Sequence, residues 1–453
     1  MAVHFETALL PDGWASNVRV EIADGRFAAV ERDAQARVGD ERVTVALPGV
    51  CNVHSHGFQR GMAGLTEYRG PDADNFWSWR ELMYRFVARM TPADLEAITA
   101  QAYVEMIESG FTRVAEFHYV HHDPAGKPYA NPAETAASVA SAASSAGIGL
   151  TLLPVFYAHG GFGGAPPNEG QRRFVTGVDA FARLLEACRK VVASLPQAIV
   201  GVAPHSLRAV TPEELAQVEV LAGAGPIHIH AAEQIKEVED CVAWSGARPV
   251  QWLLDHAAVD ERWCLIHATH MEPAEISRLA ASGAVAGFCP VTEANLGDGI
   301  SPAAPYIREK GSFGIGTDSN VLISVSEELR QLEYGQRLRD RARNVVAGDG
   351  ANSTGRTLFE GAIRGGARAT GQGIDAGTGI ARGASADFFS LNRDAASFVS
   401  RSGDALIDSF VFGGARDAID GVWCGGHKRV TQGRHHARPT IELNYRKALT
   451  RLL

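Results

Sequence analysis

His54 and His56 stand at the end of the apolar run 45–54, VALPGVCNVH, and a two-residue step on an extended chain turns both rings to one side. His230 closes the run 226–231, PIHIHA, with Glu233 three residues on. His267 belongs to 264–269, CLIHAT, and Asp318 closes 313–318, FGIGTD. Taken alone, any one of these histidines reads better as a hydrogen-bonded core residue. Together, four histidines, a glutamate and an aspartate cluster at the ends of four such runs. Neutral imidazoles and carboxylates are the ligands that zinc and similar divalent ions take, and three imidazoles with one carboxylate leave a position open for water. The chemistry so indicated is metal-dependent.

Such residues need elements that bring their ends to one place. Eight short apolar runs do this: 45–54, 112–119, 148–157, 199–207, 226–231, 264–269, 285–290 and 313–318. Near-continuous apolar strands separated by helical patterns predict a parallel sheet buried on both faces. Eight such units fit a (β/α)8 barrel better than an open sheet, and a barrel gathers chemistry at the C-terminal ends of its strands. Thr91-Pro92-Ala93-Asp94 and Thr211-Pro212-Glu213-Glu214 predict helix starts, and Gly110 and Gly223 predict helix stops. The two ends of the chain alternate in shorter runs with Gly and Asp turns. They predict a small β-sandwich domain built from residues 1–47 and 376–453, closed by a terminal helix, around a barrel spanning 48–375. The glycine-rich stretch 159–170, HGGFGGAPPNEG, reads as a surface loop, with a lid over the site as the second reading.

Composition excludes several classes. With 43 Lys+Arg against 52 Asp+Glu, the chain is net acidic at −9 and carries no basic block, a poor footprint for nucleic acid. No apolar run approaches a membrane-spanning length, and the N-terminus has no signal-peptide pattern. Six scattered cysteines without C-x-x-C predict buried thiols in a reducing compartment, the cytoplasm.

The motifs LPGVCNVHSH (47–56), HAAE (230–233), His267, GTDS with Asp318 and GIARGASADF (379–388) resemble the amidohydrolase superfamily over essentially the whole chain. The resemblance implies a distorted (β/α)8 barrel, an α/β fold. Some members of the superfamily bridge two metals with a modified lysine on the fourth strand. Here that strand reads VGVAPHSLR, without lysine, so the single-metal pattern is the better match. It implies one divalent ion, zinc first, held by His54, His56, His230 and Asp318. Glu233, His267 and Asp318 are then the catalytic groups.

The segments 52–67, 76–86, 116–123, 203–208 and 228–234 are similar to the N-formimino-L-glutamate deiminase family. That family hydrolyses N-formimino-L-glutamate to N-formyl-L-glutamate and ammonia in histidine degradation. The substrate carries two carboxylates, which arginine forks suit. Arg80 and Arg208 match the family's carboxylate-binding arginines, and Gln59, Tyr119 and His205 match other residues of that pocket. Resemblance to related barrels also implies a homodimer. The competing readings are a purine-type deaminase of the same superfamily, which would want stacking aromatics and amide donors in place of the two arginines, and a non-catalytic scaffold, which would not retain every ligand. His228 is expected to be a buried core histidine and His121 and His122 loop residues. His118 is left undecided, and His435 and His436 have no metal role.

Overall fold

The computed structural model describes residues 1–69, 75–348, 352–372, 378–414 and 417–453. The expected boundary at 375/376 lies outside them.

Eight parallel strands occur where the apolar runs place them. In chain order they are Val50–Ser55, Phe111–His118, Gly149–Phe156, Ile199–Val200 with Ala203–Pro204, Ile227–Ala231, Trp263–His267, Val285–Phe288 and Ser312–Ile315. Each pairs with its neighbour, and the last returns to the first at Ile315 and Asn52. The fourth strand is interrupted. Isolated bridges, Val202 to Ile227 and Ser206 to His230, join it to the fifth and close the ring. Phe111–His118 is buried at every residue, its polar Arg113, Glu116 and His118 included.

The run 45–54 is not one strand. Glu41–Pro48 belongs to an eight-stranded sheet built by both termini, and Val50–Ser55 is the first barrel strand. The chain crosses between them at Gly49, where a Cβ would fall 2.3 Å from Thr112 Oγ1. In the terminal sheet, Phe388–Leu391 from the C-terminal part pairs antiparallel with Glu41–Pro48 from the N-terminal part. Its own apolar core includes Phe5, Phe27, Phe388 and Trp423, with Phe388 and Trp423 stacked 4.5 Å apart.

Both threonine starts are capping boxes: Thr91 opens the helix Pro92–Glu108 and Thr211 the helix Pro212–Ala222. The terminal helix is Arg438–Leu452, and it packs on Pro92–Glu108. All six cysteines are buried and unpaired. No helix among the described residues is long and apolar enough to cross a membrane.

His435 ties the edge of the terminal sheet to the barrel. Its Nε2 donates to the Ala146 carbonyl at 2.8 Å and its Nδ1 accepts from Ala437 N at 3.1 Å. Burial, against the bond to Ala146, lowers its pKa from 6.5 to about 4, and a proton on Nδ1 would break the second bond. The neutral ring therefore stabilises the fold fully above pH 6.5. That contribution is lost as pH falls toward 4, because only the unfolded chain takes up the proton in that window. His435→Gln is expected to reduce the slope of unfolding free energy against pH by about one proton, roughly 1.4 kcal/mol per pH unit near pH 5. Urea titrations at pH 4.5–7 measure it, and an unchanged slope would show that His435 titrates alike in both states.

Candidate active site

The barrel delivers the six sequence-selected residues to one point. His54 ends the first strand and His56 follows it, His230 lies in the fifth strand, and His267 ends the sixth. Asp318 lies just past the eighth. It is held there by a double backbone contact, Asp318 N to His54 O and His56 N to Asp318 O, each 2.9 Å. His267 and Asp318 adopt left-handed φ values of +68° and +44°. Such a backbone costs about 1–3 kcal/mol per non-glycine residue and persists only where the surroundings impose it.

Ring orientation shows that the cluster suits a cation. His56 Nδ1 lies 3.0 Å from the Phe117 carbonyl and His230 Nδ1 lies 2.9 Å from the His205 carbonyl. Only a protonated Nδ1 can donate there, so both Nε2 atoms carry lone pairs. His230 Nε2 then faces His54 Nε2 at 3.1 Å, and the Asp318 Oδ1 lies 3.4 Å from His54 Nε2 and 3.3 Å from His56 Nε2. Three imidazoles and a carboxylate, all buried, thus direct lone pairs into one space. His54, whose Nδ1 has no partner among the described residues, joins them in its Nδ1–H tautomer, and the N/O donor set is one that zinc accepts.

The proposed catalytic groups flank this space. His267 Nε2 lies 3.8 Å from Asp318 Oδ2 and 3.7 Å from Glu233 Oε1, and Arg208 reaches Glu233 Oε2 at 3.9 Å. Burial raises the pKa of Glu233, while His267 and Arg208 pull it back. Burial alone would lower the pKa of His267, but Glu233, Glu293 and Asp318 outweigh it and raise it to about 10.

The other selected residues line the same cavity as His56, His230, Glu233, His267 and Asp318. Arg80 projects from the helix Phe76–Val87, its guanidinium 4.5 Å from the Trp77 ring centroid. Gln59 Nε2 donates to Tyr119 OH at 2.9 Å. His205 Nδ1 contacts Ser206 Oγ at 3.1 Å, and burial next to Arg208 keeps its pKa well below the usual value. The loop 159–170 reaches the cavity through Gly160 and is pinned behind it, with Gln171 Nε2 donating to Tyr157 OH at 2.6 Å.

The remaining histidines are structural. His228 contacts the Ala369 carbonyl at 2.7 Å and is fully buried, as expected. His121 and His122 lie in the loop after the second strand and bond the carbonyls of Val155 and Val175. His118 pairs with Thr135 Oγ1.

Several residues at the site were not selected from the sequence. Asn52 Nδ2 donates to Thr317 Oγ1 at 2.7 Å, and Thr317 Oγ1 donates to Asn320 Oδ1 at 2.6 Å. Asn320 Nδ2 donates to the His56 and Asp318 carbonyls at 3.0 and 3.1 Å. This network clamps the Asp318 turn to the His54–His56 strand. Its only sequence trace is the placing of asparagines in NVHSH and GTDSN. Glu293 Oε1 lies 3.3 Å from His267 Nδ1 and accepts from Cys289 N at 2.8 Å, which orients the ring.

The barrel, the terminal sheet and the His/Asp cluster define a metal-dependent hydrolase class, and residues 45–429 match the amidohydrolase family, to which the chain belongs. A crystal structure of an amidohydrolase from Brucella melitensis superposes with a TM-score of 0.96 at 56% identity, covering 100% of this chain and 99% of that one. Within the family the particular likeness is to formimidoylglutamate deiminases. Residues 1–44 match the N-terminal domain of formimidoylglutamate deiminase HutF. The chain is 52% identical over 437 residues to the formimidoylglutamate deiminase of Pseudomonas aeruginosa, covering 96% of this chain and 95% of that protein. The 8-oxoguanine deaminase of the same organism is 31% identical, covering 91% and 89%.

Proposed function

We propose that the chain hydrolyses N-formimino-L-glutamate to N-formyl-L-glutamate and ammonia, a step of histidine degradation, with one zinc ion held by His54, His56, His230 and Asp318. The observation that carries this reading is a single cavity wall that joins the His/Asp cluster to two arginines, Arg80 and Arg208. A dicarboxylate with a reactive amidine needs both. Six unpaired thiols fit a cytoplasmic home.

A divalent cation at the cluster supplies Lewis acidity and brings the pKa of water toward neutrality. Asp318 takes a proton from the water that attacks the formimino carbon. His267 donates toward the developing negative charge. Glu233, the buried acid beside both, delivers a proton to the departing nitrogen, which leaves poorly unless protonated. Both hydrogens of the water end on that nitrogen as ammonia, and its oxygen becomes the formyl carbonyl. Arg80 and Arg208, with Gln59, Tyr119 and His205, fix the glutamate end and so align the amidine over the reacting groups.

The test is ammonia release from N-formimino-L-glutamate against a purine panel that includes 8-oxoguanine. Turnover confined to the purines would overturn the assignment. Arg208→Met is expected to raise KM for the acidic substrate about 10–100-fold, the loss of a charge-assisted contact of about 1.5–3 kcal/mol. An unchanged KM would remove Arg208 from the substrate's reach.

A further inference from the structure

At the N-terminal end of the barrel strands, opposite the catalytic mouth, a cavity of about 520 Å³ lies between the barrel and the terminal sheet. Two arginines from the two units line it. Arg113 belongs to the second barrel strand, and Arg429 to the strand His427–Thr431 of the terminal sheet. They lie over one short turn. A Cβ on Gly149 would fall 3.3 Å from the Arg113 guanidinium, and one on Gly147 would fall 2.4 Å from that of Arg429.

Neither guanidinium has a close ion-pair partner among the described residues. Arg113 is 2% exposed, and its hydrogen bonds go only to neutral acceptors, the Leu150 and Gln197 carbonyls and Thr151 Oγ1. Its Nε is buried without an acceptor among the described residues. The Arg429 side chain forms no hydrogen bond or ion pair among the described residues, and its Nε is likewise buried and unpaired. The wall also carries Asp24 and Asp387, but no carboxylate of the described residues lies within 4.0 Å of either guanidinium. The buried Asp387 accepts from Gly425 N at 2.6 Å and offsets part of the Arg113 charge through space.

Two guanidiniums without a close ion-pair partner thus line one cavity, and the fork geometry of arginine matches oxyanions. We propose that this cavity binds a small polyanion, a phosphate or a short polycarboxylate, between Arg113 and Arg429, bridging the barrel to the terminal sheet. A ligand that holds both units binds the folded state alone. It therefore raises the melting temperature with the logarithm of its concentration.

The test is thermal melting of the metal-loaded protein in inorganic phosphate and in citrate, each against chloride at equal ionic strength. Wild type is expected to melt higher in at least one of the two, and which one shifts it names the source of the anion. Arg429→Gln, a half-buried position, is expected to melt normally in chloride and to lose the shift. Arg208→Met, at the catalytic mouth, is expected to keep it. No shift in wild type, an equal shift in Arg429→Gln, or loss of the shift in Arg208→Met would each overturn the proposal. The last outcome would place the anion in the catalytic pocket.

Discussion

Glu233→Gln is expected to keep its metal and its affinity for substrate while losing about 10²–10⁴ in kcat, the usual worth of a positioned acid or base. The side chain is 4% exposed, between His267 and Arg208, and burial holds its carboxyl in the range where it gives up and takes back a proton near neutral pH. Glutamine matches its shape and leaves Arg208, 3.9 Å away and not hydrogen-bonded to it, free to hold the substrate, so binding at the glutamate end is preserved. What the amide cannot do is deliver a proton to the departing nitrogen. The backbone at this position is held independently of the side chain, because Glu233 N donates to Glu237 Oε2 at 2.9 Å. A folding defect is therefore not expected. Steady-state ammonia release and elemental analysis on one preparation separate the two effects. Wild-type kcat with full metal would assign the proton transfer elsewhere.

The parts of this site that the sequence exposes are those governed by local pattern. A strand buried on both faces is mostly apolar, so the barrel strands appear as runs, and a polar residue ending such a run is conspicuous. His54, His56, His230, His267 and Asp318 were found in that way. Where one run serves two units, the pattern does not show it: nothing in VALPGVCNVH separates Pro48 in the terminal sheet from Val50 in the barrel except Gly49, whose need for space arises from Thr112, more than sixty residues away. The same reason hides the clamp of Asn52, Thr317 and Asn320. Each is an unremarked polar residue until the first and eighth strands meet. Arg80 and Arg208 became candidates through resemblance, because a charge in a helix or loop has no periodic signature. Only the fold shows that both face the cavity.

Stripping the metal with a chelator is expected to reduce turnover to background and also to lower the melting temperature, with both restored by one equivalent of zinc per chain. The activity loss follows from the chemistry, since no side chain here can make water nucleophilic at neutral pH with a cation's strength. The stability loss follows from the ring geometry. The carbonyls of Phe117 and His205 fix protons on the Nδ1 atoms of His56 and His230, so neither ring can turn its lone pair away. His54 Nδ1 is buried without a partner among the described residues, so in the absence of a cation the neutral Nε2–H tautomer of His54 can donate to His230 Nε2 across the 3.1 Å contact. A cation takes up lone pairs on His56 and His230 that are already aimed at it, and binding to the folded state alone makes the gain appear as stability. His230→Ala removes one donor of the set, so it is expected to lose activity and to show a smaller change in melting temperature on chelation than wild type. Titration with zinc, followed by ammonia release and by melting on the same samples, measures both. Full turnover in metal-free protein would overturn the metal assignment, and an unchanged melting temperature on chelation would overturn the account of stabilisation by the bound cation while leaving the catalytic one standing.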